Sequence, residues 1–214
     1  MINQRLTEKQ LDILHDHYKE TFARLLKAEA LRDRLFLQVI GIFALLILEI
    51  GYPNVLGDTL SKFSIGGGEF NLNALPFPAL LNATWFLMLV FGLRYCQTAV
   101  FVSRQYPYLH HLEDAISPAI GGGDLYRREG EVYLRGYPHL LNVAWFAYCI
   151  LFPFIAILST LWLIAWEITK VPYPLHHKLF DCLIAIAFIS FFFIYRVQPT
   201  IASLVKKIRS FVGL

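Results

Sequence analysis

Five polar side chains stand inside long apolar stretches of this sequence, where each must find a partner or do chemistry. They are Glu49, Asn82, Arg94, Asn142 and Asp181. In membrane hydrocarbon an ionisable or amide group is costly, so it usually pairs with another helix or lines a path for an ion or solute. Glu49 and Arg94 stand close to the ends of their stretches, so the lipid headgroups are a second destination for both. These five residues are the candidate intramembrane polar site.

No pattern in the sequence supports catalysis, a metal site or a cofactor site. The pairs His110–His111 and His176–His177 cannot each chelate one metal ion side by side, because successive residues on a helix point about 100° apart. The glycines at 66–68 are not followed by the Lys-Ser/Thr of a phosphate-binding loop. No Ser/His/Asp or Cys/His arrangement has supporting local context. We predict a protein that is not an enzyme and that binds no metal or cofactor.

The composition indicates a membrane protein. Of the 214 residues, 57% are hydrophobic, and the mean hydropathy is +0.51. A soluble domain has about 45–50% apolar residues, and here the excess is concentrated in long runs that end at charged segments. The formal charge of +3 is too small to indicate direct nucleic-acid binding. The fold class predicted is all-α, a polytopic membrane protein with four transmembrane helices in two hairpins.

The predicted domain organisation alternates between cytosolic and membrane segments. It comprises a cytosolic amphipathic helix at 1–34, a first transmembrane hairpin at 35–102 with an outer loop at 51–77, a cytosolic connector at 103–137, a second transmembrane hairpin at 138–198 with an outer loop at 168–178, and a basic amphipathic C-terminal helix at 199–214. Within these, the fourth span covers about 179–195. The C-terminal helix either rests on anionic lipid or continues the fourth span.

The N-terminal helix has a clear start and one apolar face. Thr7 and Gln10 fit a capping box. Apolar residues then recur three or four apart, namely Leu11, Leu14, Tyr18, Phe22, Leu25 and Ala28. This stripe either packs on its own chain or forms a short self-associating bundle. No helix breaker separates it from the first span, so the helix is free to continue into the bilayer.

The distribution of lysine and arginine gives the orientation. Basic residues number seven in 1–34, one in 51–77, four in 103–137, two in 168–178 and three in 206–209. Cytoplasmic loops of membrane proteins carry the excess of positive charge. We therefore predict that both termini and the connector are cytoplasmic.

The connector carries a candidate contact surface for a soluble protein. Residues 125–134 combine β-branched and aromatic residues around Gly130, which is consistent with a small β-hairpin. Such a hairpin presents four charged side chains to the cytosol: Arg127, Arg128, Glu129 and Glu131. These are the candidate partner-binding residues, although charged loop tips are most often merely solvated.

Near-copies of one phrase flank the connector. Residues 77–86 and 137–146 share Pro, Leu, Leu, Asn, Trp and Phe at identical spacing. A true echo between neighbouring spans that cross in opposite directions is an inverted repeat, as in many transporters. Convergent composition explains the phrase as well, because Pro suits a helix start and Trp suits the membrane interface. With no broken half-helices at mid-membrane, we favour convergence.

The whole chain resembles, in architecture, the small four-span subunits of bacterial anti-phage systems, such as the membrane subunit of the Kiwa system. The phrases at 106–113 and 125–130 contribute to this resemblance. The resemblance implies an oligomeric envelope sensor of infection, coupled through its cytosolic face to a separate effector that acts on phage DNA. It implies no particular site residues.

Two functions are consistent with the sequence. The first is a non-enzymatic, homo-oligomeric inner-membrane sensor or scaffold that couples a membrane event to a soluble cytosolic partner through residues 1–34 and 104–136. The alternative is an oligomeric ion pore or small-solute transporter, lined by the intramembrane polar residues. Both functions place the chain in the lipid bilayer. Both also require other copies of the chain, because the interior of a single set of four spans is thin.

Overall fold

All regular structure in the described part of the chain is helical. The computed structural model describes residues 7–52, 77–120, 143 and 146–212. Its helices are α1 (Glu8–Gly51), α2 (Phe77–Ile116), α3 (Phe152–Lys170) and α4 (Leu175–Val212), with a 3₁₀ turn at Ser117–Ile120 and a π turn at Ala147–Leu151. In these residues, four helices are long and apolar enough to cross a membrane. The prediction of an all-α fold with four helices able to span a membrane is confirmed, whereas their arrangement in two hairpins stays a prediction.

Several predicted features lie outside the described residues. They are the β-hairpin of the connector with its charged residues Arg127, Arg128, Glu129 and Glu131, most of the outer loop at 51–77, and Asn142.

The start of α1 is the capping box that the sequence predicts. The backbone amide of Thr7 donates to Gln10 Oε1 at 2.9 Å, and the amide of Gln10 donates to Thr7 Oγ1 at 3.4 Å. These bonds satisfy two amide groups that a helix start leaves without partners. From this cap α1 continues unbroken for 44 residues. The N-terminal helix and the first span are therefore one helix.

α2 is longer than the predicted second span, which ended near Val102. The helix continues to Ile116 although it contains Pro107. A proline in a helix interior removes a backbone hydrogen bond and usually ends or kinks the helix. Here Val102 and Leu109, on either side of the proline, are buried with Leu25 of α1 in one apolar cluster. We infer that this packing outweighs the lost hydrogen bond.

The second pair of helices also differs in its bounds from the prediction. α3 ends at Lys170 and α4 begins at Leu175, so the linker is shorter than the predicted loop at 168–178. Pro153 stands in the first turn of α3, where its missing N–H costs nothing. α4 passes through Pro199 and ends at Val212. Of the two interpretations of the C-terminal segment, these bounds agree with the one that continues the fourth span.

The chain divides into two compact units. The first comprises residues 1–34 and 97–146. Its core is the cluster of Leu25, Val102 and Leu109, and the aromatic rings of Tyr18, Phe22 and Tyr106 pack around it. The apolar stripe of α1 therefore packs on its own chain, as the simpler of the two interpretations predicted.

The second unit comprises residues 35–96 and 147–214, and aromatic rings form its core. Tyr95 lies 5.2 Å from Phe152 and 6.2 Å from Phe192, measured between ring centroids. Phe188 lies 4.5 Å from Phe192. α2 approaches this core closely at Gly92, where a Cβ atom would clash with the ring of Phe188. A glycine at this position is what allows α2 and α4 to come this close.

Candidate functional site: a buried carboxyl cluster

Three acidic side chains are buried in the second unit, and each lies near one end of its helix. Glu49 is 1% exposed, and Glu167 and Asp181 are 0% exposed. Glu49 precedes the end of α1, Glu167 precedes the end of α3, and Asp181 lies in the second turn of α4. Ionised carboxyl groups are almost never fully buried without a partner. These three residues are named the carboxyl cluster below.

Two acids of the carboxyl cluster are in contact with each other. The side chains of Glu167 and Asp181 lie within hydrogen-bonding reach of each other. Glu167 Oε2 also accepts a hydrogen bond from Trp85 Nε1 at 3.0 Å. Ionised carboxylates only accept hydrogen bonds. The contact between Glu167 and Asp181 is therefore attractive only when one of them carries a proton.

Glu49 belongs to the cluster through α2. Thr84 Oγ1 lies 2.9 Å from Glu49 Oε1 and 3.1 Å from the backbone oxygen of Leu80. A hydroxyl group has a single proton to donate. If Thr84 donates to Glu49, the contact with Leu80 loses its donor. If it donates to Leu80, Glu49 must be protonated to complete its own bond.

Asn82 connects α2 to α4. His177 Nδ1 lies 3.2 Å from the side-chain amide of Asn82. With its nitrogen turned toward the neighbouring acceptors, the amide donates to the Pro78 backbone oxygen at 2.6 Å and to Asp181 Oδ2 at 3.3 Å. Amide orientation is assigned from such a network, and this orientation gives Asp181 a neutral donor.

Positive charge near the cluster is scarce in the described residues. Lys178 is the lysine that acts on Glu167, and its Nζ already donates to the Ile168 backbone oxygen at 2.9 Å. The acidic charges also affect Tyr173, which lies in the linker between α3 and α4, outside the spans. Burial first, and then the charges of the carboxyl cluster, raise the pKa of Tyr173 to about 12.

One oxygen of each acid has no hydrogen-bond partner among the described residues. The three atoms are Glu49 Oε2, Glu167 Oε1 and Asp181 Oδ1, and all are buried. An unsatisfied buried polar atom in a native protein calls for an explanation such as a bound ion or a functional proton. In the described part of the chain, no group of three or more His, Cys, Asp or Glu side chains is arranged to hold a metal ion.

The structure brings together three of the five polar residues that the sequence singled out. Glu49, Asn82 and Asp181 all lie at the carboxyl cluster. Arg94 does not: it lies ten residues beyond Thr84 on α2, about 15 Å along the axis, and its side chain is exposed. Asn142 is outside the described residues.

The sequence reasoning missed Glu167 and its donor Trp85. In the predicted second hairpin Glu167 directly precedes the outer loop at 168–178, and it was not singled out as an intramembrane polar residue. Trp85 was interpreted as an interface anchor, whereas its ring is fully buried and its indole N–H serves a carboxyl group. The available signal was helix length, because one more turn on the third span places Glu167 within it.

A second polar set lies in the first unit. The Tyr18 hydroxyl donates to Glu113 Oε1 at 2.9 Å, and the Tyr106 hydroxyl donates to Glu29 Oε1 at 2.6 Å. Glu113 is 1% exposed, so the bond from Tyr18 is made in a nearly dry environment. These two bonds run in opposite directions between α1 and α2 and fix the register of the two helices in this unit.

Comparisons of the chain with models of known protein families, with curated proteins and with solved structures found no match.

Proposed function

We propose that this protein is a non-enzymatic, oligomeric membrane sensor that couples an event in the membrane to a soluble cytosolic partner. The observation that carries the proposal is the continuity of two helices. α1 and α2 each belong in part to the unit with the carboxyl cluster and in part to the unit with the tyrosine–carboxylate bonds. A change at one end of either helix therefore occurs in a helix that also contributes residues to the other unit.

Helix length supports this proposal. α1 has 44 residues and α2 has 40, which correspond to about 66 Å and 60 Å at 1.5 Å per residue. Hydrocarbon about 30 Å thick takes about 20 residues of a helix. Each helix therefore has some 20 residues or more beyond what a crossing needs. Interfaces between packed helices respond to small shifts of 1–2 Å along or around the axis.

The orientation assigns a direction to this coupling. By the distribution of basic residues, the termini and the connector are cytoplasmic, and the resemblance to anti-phage membrane subunits implies a bacterial inner membrane. In this orientation the carboxyl cluster lies toward the outer surface, and residues 1–34 lie in the cytosol. With the resemblance to anti-phage membrane subunits, this arrangement supports a sensor of phage infection that signals inward to a separate effector.

The second candidate is an oligomeric ion pore or small-solute transporter. The observation that favours it is the carboxyl cluster itself, because buried acids in membrane spans often mark a pathway for cations or protons. In that function Glu49, Glu167 and Asp181 act on the transported species directly, and the cytosolic unit serves assembly.

The test is affinity purification of the tagged protein from its native host in mild detergent, with mass spectrometry of the proteins that co-purify. We expect a stoichiometric soluble partner. Reversing two charges of the connector, Arg127→Glu with Arg128→Glu, should reduce its recovery at least tenfold. The matched control reverses two charges on the predicted outer side, Lys62→Glu with Lys170→Glu, and should leave recovery unchanged.

Deletion of residues 1–30 is the second arm, since the proposal also places this segment at the partner. Partner recovery that is unchanged by both the deletion and the connector variant would count against the sensor. An oligomer that purifies alone and conducts ions in planar bilayers would favour the pore.

A further inference from the structure

The contact between Glu167 and Asp181 requires a positive charge that the described side chains do not supply. Both residues are fully buried, and each has one oxygen without a hydrogen-bond partner. The two side chains lie within hydrogen-bonding reach. Two ionised carboxylates this close repel each other strongly, and burial adds the cost of removing both charges from water.

The described groups that face this pair from each packed element are acidic, neutral or already engaged. α1 contributes Glu49, which is a third acid. The neutral groups are Asn82, Thr84 and Trp85 of α2, Tyr173 of the linker and Cys182 of α4. The basic groups are His177 and Lys178 of α4. His177 bonds to the Asn82 amide and Lys178 to a backbone oxygen. Among the described residues, three acids therefore face two basic groups, both of which are already engaged.

We propose that Glu167 and Asp181 form a proton-binding site, in which the two carboxyl groups share one proton. The shared proton supplies the donor that the contact lacks and accounts for the unpartnered oxygens of the pair. It also lowers the charge of the pair from two negative units to one. Trp85, which donates to Glu167 Oε2 at 3.0 Å, holds one member of the pair in place from α2.

Release of the proton provides a mechanical step. One O–H bond breaks, the proton passes to water, and no electron is transferred. The two carboxylates then repel each other across the α3–α4 contact, and Glu167 remains attached to Trp85 on α2. As a consequence the end of α4 that carries Asp181 moves away from α2 and α3. The link from this step to a cytosolic partner rests on the proposed sensor function; the proton site itself does not.

The test is an infrared titration of the purified, full-length protein in lipid nanodiscs, with no partner present. In the wild type we expect a band of a protonated carboxyl group that shifts in heavy water and disappears in one step as the pH rises. Glu167→Gln and Asp181→Asn should each move the midpoint of this step toward acid by at least tenfold in proton concentration, since the remaining acid no longer shares its proton with a carboxylate in hydrogen-bonding reach. Glu49 is present in the wild type and in both variants, so its effect is common to all three. Asp16→Asn, at an exposed position of α1, is the control and should change nothing.

Two further variants connect the titration to the geometry. Glu167→Asp keeps an acid at this position and should retain a titrating band, which guards against variants that fail to fold. The fluorescence of Trp85, taken as wild type minus Trp85→Phe, should change with the same midpoint as the infrared band, since its indole bonds to the titrating pair.

The proposal is overturned if the wild type shows no protonated carboxyl band, or if both pair variants titrate like the wild type. A midpoint that moves tenfold when choline is replaced by sodium at constant ionic strength would overturn it in favour of a bound monovalent cation. Because partner co-purification is a separate measurement, failure of the proton site and failure of the sensor function are distinguishable.

Discussion

The close approach of α2 and α4 at Gly92 gives a quantitative expectation. A Cβ atom at this position would clash with the Phe188 ring and would lie 3.2 Å from the Phe192 ring. Phe188 is fully buried and stands 6.0 Å from Phe43 and 4.5 Å from Phe192, so its ring has little room to move away. We therefore expect Gly92→Ala to force a shift of the rings or of the helices.

The size of the effect follows from two opposing terms. Adding a methyl group to a filled core costs about 1–3 kcal/mol. Replacing glycine by alanine inside a helix contributes about 1 kcal/mol of stabilisation. Gly41 provides the matched control, since it also lies inside a helix, α1, and a Cβ atom there meets nothing within 4 Å. The difference between the two variants isolates the steric term.

The measurement is thermal unfolding of both variants in the same detergent, followed by the loss of the monodisperse peak in size-exclusion chromatography. For a chain of this size, about 1 kcal/mol shifts the midpoint by about 2–4 °C. We expect Gly92→Ala to unfold about 2–12 °C below Gly41→Ala. Phe188→Leu should recover part of the loss in a double-mutant cycle, because the two sites interact directly.

Equal unfolding midpoints for the two alanine variants would refute this reasoning. So would a loss in Gly92→Ala that Phe188→Leu does not reduce. The first outcome would mean that α2 and α4 are not in close contact at this position, and the second that the clash involves another group.

Three further expectations follow from hydrogen bonds and burial. Tyr18→Phe removes the hydrogen bond to the buried carboxyl group of Glu113 and should lower the free energy of unfolding by about 1.5–3 kcal/mol. Tyr108→Phe removes an exposed hydrogen bond to His17 and should lower it by about 0.5 kcal/mol or less. Hydrogen exchange of the backbone amides at 105–116 measures both losses. Thr84→Val removes the hydroxyl group next to the buried acid Glu49, while Thr160→Val removes a hydrogen bond to the backbone of its own helix. The midpoint of thermal unfolding should therefore fall further in Thr84→Val than in Thr160→Val. Equal losses would contradict this expectation. The pKa of Tyr173 is raised to about 12 from the ordinary 10, so its contribution to stability is complete below pH 10 and is lost between pH 10 and 12. The phenolate absorbance of Tyr173, measured as the difference between the wild type and Tyr173→Phe, should develop near pH 12. A midpoint near pH 10 would refute the burial of this residue.

Local features of the fold were predictable from the sequence because their causes are local. The capping box at Thr7 and Gln10 depends on residues three apart, and the structure forms it as expected. The unbroken course of α1 follows from the lack of a breaker between its cytosolic and apolar parts. The extension of α2 past Pro107 was not predictable, since it depends on packing against Leu25, a residue far away in the sequence.

The candidate site was predictable only in part. Glu49, Asn82 and Asp181 are conspicuous as polar residues in apolar runs. Glu167 was missed because it directly precedes the segment at 168–178, where the sequence predicts a loop. The contact between Glu167 and Asp181 was beyond sequence reasoning altogether, because it depends on how the ends of α3 and α4 pack and not on the spacing of the two residues.

The unbroken course of α1 also restricts how the chain can change in length. Each residue inserted between its two parts rotates everything after it by about 100°. A single insertion near Arg34 would therefore turn the apolar stripe containing Leu25 out of phase with the face that carries Leu46 and Glu49. Seven inserted residues bring the two faces back to within about 20°. Natural length variants of this protein should accordingly differ in α1 by close to whole pairs of turns.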